Sequence, residues 1–140
     1  MGKINIGRVI LGGLVAGIVV DILGYLVDGM LLASKWSVEM KLLGHGDFSS
    51  GQIVCFNILG LIGGIVMIWL YAAIRPRYGA GVKTAVCAGL AYWLIGVLLP
   101  NAGFMGVAGL FTRHLLLYTT LGGVVENVVG AIAGAALYKE

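Results

Sequence analysis

The stretch GLVAGIVVDILGYLVD, running from Gly13 to Asp28, decides the fold. It is apolar nearly throughout, yet it carries two aspartates. At about 100° per residue, Gly13, Gly17, Asp21, Gly24 and Asp28 share one arc of roughly 80° on a helix. One face is small and acidic, and the rest is Val, Ile and Leu. In water this would be a poor helix, because each Gly costs about 1 kcal/mol against Ala. In a bilayer the same face admits a second helix at close range. The stretch is read as the core of a membrane span.

The rest of the chain agrees. Of 140 residues, 60% are hydrophobic and 11% charged, against about 25% charged in soluble domains. A single domain of this size cannot hide so much apolar surface from water, so the lipid bilayer is the expected solvent. Glycine contributes 24 residues with no G-X-Y period, a density that points to close helix–helix contact. The net charge of +3 does not imply nucleic acid. The basic residues are scattered at helix ends, where they set topology, and no basic stripe with interleaved aromatics is present.

Four segments can supply the ~20 helical residues that cross a hydrocarbon core. They are residues 8–33, 51–74, 82–100 and 114–138 of one integral membrane domain. Lys3 and Arg8 precede the first, and no A-x-A-like cleavage site follows, so an uncleaved span is expected. With the N-terminus inside, Lys3, Arg8, Arg75, Arg77, Lys83 and Lys139 lie on the cytoplasmic side. Lys35, Lys41 and Arg113 lie opposite. The excess of Lys and Arg sets orientation, giving N-in and C-in. The expected fold is therefore an all-α membrane protein, four transmembrane helices in a compact Gly-rich bundle.

Between the first two spans, Trp36, Met40 and Leu43 fall at i, i+4 and i+7, a short amphipathic turn at the interface with Trp36 as anchor. Ser49 and Gln52 have capping-box spacing for the second span. The run after Pro100, NAGFMGVAGLFTR, is open to three readings: a loop, a re-entrant turn or a kinked extension of the third helix. The motifs Trp36-x3-Met40-x2-Leu43-Gly44, YAAIRPRYG at Tyr71–Gly79, and Gly89-x3-Trp93 to Pro100 resemble an uncharacterised family of small four-span bacterial inner-membrane proteins. That resemblance implies a bacterial inner-membrane location and transfers no activity, ligand or site residue.

Each span has one small or polar face. Gly13 and Gly17, Gly60 and Gly64, and Gly130 and Gly134 are small-xxx-small pairs expected to pack helices. On the fourth span Glu126 and Asn127 share the glycine face, and on the second Asn57 does. At 1.5 Å per residue, Asp21 and Glu126 both lie about 18 Å from the outer ends of their helices, near the midplane. Asp28 and Asn57 lie shallower, at roughly 7–9 Å. Two acids at one level in an apolar bundle cannot both ionise cheaply, and no Lys or Arg occurs at that depth to pair them. Asp21 and Glu126, with Asn127 and Asn57 as hydrogen-bond partners, form the candidate intramembrane protonation or polar site. The blander assignment for the same residues is interhelical hydrogen-bond glue.

No catalytic constellation, cofactor site or metal site is expected. The serines are loop or cap residues without a nucleophile elbow, and no Lys-Ser/Thr follows any Gly pair to make a phosphate loop. His45 and His114 would need further ligands from another chain to hold zinc or haem. Cys55 and Cys87 are expected on the order of 20 Å apart, beyond disulfide reach, as packing residues. The leading expectation is a non-enzymatic polytopic membrane protein acting through helix packing, as an accessory subunit of a membrane complex or a homo-oligomer. Its partners would be other membrane subunits or itself. The rival is a small proton- or cation-coupled transporter or channel using Asp21 and Glu126. Dense glycine faces are expected to leave little room for a solvated cavity, which counts against transport.

Overall fold

Asn5 starts the first helix. Its side chain accepts a hydrogen bond from the Arg8 backbone N–H at 3.2 Å, the capping geometry that satisfies an otherwise unpaired donor. In the computed structural model, which describes residues 4–139, helix α1 then runs over Ile6–Leu31. Its last seven residues, Tyr25–Leu31, form a π-helical stretch. A short helix α2 covers Ala33–Leu42. Helix α3 spans Ser50–Tyr78 behind a complete capping box: the Gln52 backbone donates to Ser49 Oγ at 3.3 Å, and the Ser49 backbone donates to Gln52 Oε1 at 2.8 Å. Helix α4 is Val82–Met105 and helix α5 is Arg113–Leu137. Among the described residues there is no strand. Four helices, α1, α3, α4 and α5, are long and apolar enough to cross a membrane, the character of a multi-pass membrane protein. Of the basic residues used as topology markers, Lys3 lies outside the described residues.

The run after Pro100 continues α4 as far as Met105, and residues 106–112 form a loop of turns before α5. Proline inside an α-helix lacks an N–H and drives its ring against the carbonyl four residues back, here that of Gly96. The structure accommodates it with a π-helical stretch over Leu94–Leu98 immediately before the helix resumes at Leu99–Met105. Asn101 pins the extension to α5, its amide donating to the hydroxyls of Thr119 at 3.2 Å and Thr120 at 2.8 Å.

Glycine determines how closely the helices approach. A methyl group at Gly13 would collide with the Ile65 backbone, one at Gly17 would come 2.6 Å from Leu61 Cα, and one at Gly64 would meet the Gly13 carbonyl. The α1–α3 seam is thus backbone on backbone. On the other side of α1, Gly134 abuts the Gly12 carbonyl, and Gly130 faces Val20 and the Ala16 carbonyl. Small residues at such seams gain van der Waals contact where lipid offers no hydrophobic drive for helix association.

The two ends of the bundle differ. Buried residues on α1 stop at Gly17, those on α3 begin at Gly63, and those on α4 lie between Thr84 and Gly89. Ala16, Met67, Ile68, Ala88 and Ala131 have no exposed surface. All belong to the half that carries the start of α1, the end of α5 and the Gly79–Gly81 turn, whereas only α5 stays buried well into the other half, at Leu115, Leu116 and Thr120. In the other half, capped by α2, the 43–49 segment and residues 106–112, α1 and α3 splay apart.

Candidate functional site

Asp21 stands where the splaying begins. Its carboxylate rests directly on Gly60 of α3, in the place a Cβ there would occupy. Beyond this point α1 leans toward α5 instead. Val27 packs over Gly122, and the Glu126 carboxylate lies beside Gly24, 3.7 Å from where a Cβ would stand. Glu126 is therefore about 4–5 Å nearer the α2 end than Asp21, given three residues of helical rise. The π-helical stretch re-aims α1 here: bonds that reach i→i+5 instead of i→i+4 turn every side chain after Gly24 away from its straight-helix direction.

The divergence of α1 and α3 leaves a cavity of about 900 Å³. Its polar wall contains Asp21, Asp28, Asp47, Glu126 and Asn57, and among the described residues no Lys, Arg or His lines it. Its apolar wall includes Tyr25, Met40, Phe48 and Phe56. Helix α2 lies across it, with Trp36 donating its indole N–H to Asp28 Oδ1 at 3.0 Å. The rings of Trp36 and Phe48 meet edge to face at 5.7 Å, and those of Phe48 and Phe56 at 5.6 Å. Glu126 Oε1 is buried and without a hydrogen-bond partner. The expectation that dense glycine would leave little room for a cavity is overturned. Glycine brings α1 and α3 into backbone contact in only one half of the bundle, and Gly60, where the two helices part, makes room for a carboxylate.

Of the residues singled out from the sequence, the structure brings Asp21, Glu126 and Asn57 to one cavity. Asn57 is exposed, and its amide donates to the Ile53 carbonyl of its own helix at 2.7 Å. Asn127 does not line the cavity. It is 2% exposed in the tight half, donating to the Gly123 carbonyl at 2.7 Å, with Oδ1 unpartnered. Asp28, which the sequence places shallower than Asp21 and outside the candidate pair, is part of the wall. Its signal was present, since it shares the arc of Asp21. Asp47 and the aromatic wall were not found, because they lie on elements whose docking no periodicity encodes.

Compared with known protein families, curated proteins and solved structures, the chain matches none. Among the described residues no three His, Cys, Asp or Glu side chains are grouped as a metal ion would require. His45 is exposed. His114 lines a separate depression of about 330 Å³ with Lys35 and Glu39, where the buried Glu39 accepts from the Thr112 backbone at 3.3 Å. Cys55 and Cys87 are free and exposed on their helices, not packed inside.

Proposed function

We propose that the protein is a small, non-enzymatic cation-coupled transporter of the bacterial inner membrane, N-in and C-in, in which Asp21 and Glu126 take up the cation. One observation carries this reading: the carboxylates converge on a single cavity that, among the described residues, has no basic side chain in its wall. Acids inside a membrane span are expensive to keep and typically mark ion pathways. Here a hydrogen-bonded neighbour, Trp36, is given to Asp28, while Glu126 Oε1 has none. That asymmetry suits an acid that exchanges its partner, a proton or a larger cation. Purified protein in liposomes with an internal pH-sensitive dye tests the proposal. The wild type should dissipate an imposed proton gradient, and Asp21→Asn and Glu126→Gln should each slow it at least tenfold. Flux equal to that of protein-free vesicles, or unchanged in both variants, removes the reading.

A second reading, a subunit that works by helix packing with itself or another membrane protein, has its own support. Residues 51–59 of α3 are all exposed, and the Asn57 amide donates within its own helix, to the Ile53 carbonyl, so this half of α3 offers surface to a second chain. Native mass spectrometry from detergent distinguishes the two: a stable oligomer or a copurifying membrane chain favours packing, and a lone chain that conducts protons favours transport.

A further inference from the structure

We infer that the cavity between α1 and α3 binds a lipophilic organic cation, a quaternary ammonium or phosphonium carrying aromatic or branched alkyl groups. This rests on the cation-coupled reading above and names its substrate class. Size is the first argument. A volume of about 900 Å³ falls in the range of small-molecule pockets, about 300–1,000 Å³, and far exceeds what a proton or a bare inorganic ion occupies.

Charge is the second. Asp21, Asp28, Asp47 and Glu126 border the cavity, four of the six carboxylate side chains in the whole sequence. They are spread around its wall rather than gathered as a metal cage. A diffuse positive charge fits a spread of carboxylates, whereas a small hard ion needs several oxygens at one point. Buried Glu126 Oε1, with no donor of its own, is the oxygen most in need of a positive guest.

The third argument is the chemistry of the remaining wall. Tyr25, Trp36, Phe48 and Phe56 offer aromatic surface beside the acids, and cations bind over such rings, most strongly when desolvated. Ile53 and Phe56 on α3, and Ile22 and Tyr25 on α1, line the cavity and keep much of their surface exposed, so the cavity is open rather than sealed. That opening is a route for a guest that partitions into the bilayer. Met40 on the covering helix adds a side chain that adapts to varied apolar shapes.

Tetraphenylphosphonium is the probe, titrated calorimetrically into the full chain in lipid nanodiscs. Saturable binding of one ion per chain is expected, undisturbed by a hundredfold excess of sodium or tetramethylammonium. Glu126→Gln and Asp28→Asn should each weaken binding at least tenfold, and Trp36→Leu several-fold. Asp47→Asn, on the exposed 43–49 segment where folding is not at stake, should weaken it about threefold and keeps the comparison valid if either helix variant misfolds. No saturable binding beyond protein-free nanodiscs overturns the inference. So does equal affinity for uncharged triphenylphosphine, the result expected of a crevice filled by lipid, and so does indifference to every folded carboxylate variant. Tetraphenylphosphonium binding without proton flux sustains the inference and removes only the transport reading. Proton flux without tetraphenylphosphonium binding does the reverse.

Discussion

Gly17 and Gly103 are both helical glycines in an apolar chain, and their surroundings are opposite. A methyl at Gly17 would come 2.6 Å from Leu61 Cα and 2.8 Å from the Gly60 carbonyl, both backbone atoms that cannot step aside. At Gly103 nothing lies within 4 Å. Gly17→Ala should therefore destabilise the protein by about 1–3 kcal/mol, the usual cost of overpacking. Gly103→Ala should leave stability unchanged or raise it by up to about 1 kcal/mol through helix propensity. Reversible unfolding in detergent, followed by circular dichroism, checks both. The glycine stripe of α1 was legible in the sequence because a 3.6-residue period repeats along it. The kind of neighbour each glycine meets was not. Gly60 sits in the same small-xxx-small pattern as Gly64, yet one receives a carboxylate and the other a backbone, because α1 presents Gly13 and Gly17 to Gly64 and the Asp21 side chain to Gly60.

Helix α2 shows what an amphipathic pattern reveals and what it conceals. The spacing of Trp36 and Met40 placed an apolar face on a short helix, and both residues do line the cavity beneath it. The attachments of that helix come from elsewhere in the chain. Asp28 accepts from the Trp36 indole, Phe111 meets the Trp36 ring edge-on at 5.8 Å, and Glu39 receives the Thr112 N–H. None of these pairings has a sequence period to announce it. The π-helical stretches of α1 and α4 are equally silent in composition, although Pro100 gave a physical reason for the second. Trp36→Phe keeps an aromatic ring in place and deletes only the donor to Asp28. Amide exchange over residues 33–42 should then accelerate roughly tenfold, corresponding to the loss of about 1.4 kcal/mol in a hydrogen bond to a carboxylate. Hydrogen–deuterium exchange read by mass spectrometry would show it. Unchanged exchange would mean that the aromatic edges and Glu39 alone hold α2 down.

At the scale of the molecule, four long apolar helices were legible because a bilayer needs about 20 such residues per crossing and little else. The cavity was not, since it arises from the angle at which two helices part after a close glycine seam. In the proposed four-span topology the tight half and the splayed half face opposite sides of the membrane, so orientation decides which side the carboxylates serve. That topology puts the start of α1 and the end of α5 on one side, and a single labelled position on each side tests it. Lys and Arg favour the end bearing Arg75, Arg77 and Lys83 as cytoplasmic, since their excess marks the inside. The exposed Cys55 and Cys87 must first be replaced by serine. In that background His45→Cys, on the exposed segment at the splayed end, should react with a membrane-impermeant maleimide in intact cells. Ala80→Cys, exposed in the turn at the tight end, should react only after lysis. The reverse pattern would turn the cavity toward the cytoplasm and make the carboxylates a site loaded from inside. The expected pattern makes the tight glycine half the barrier that a cation must pass after binding from the outer half or from the surrounding lipid.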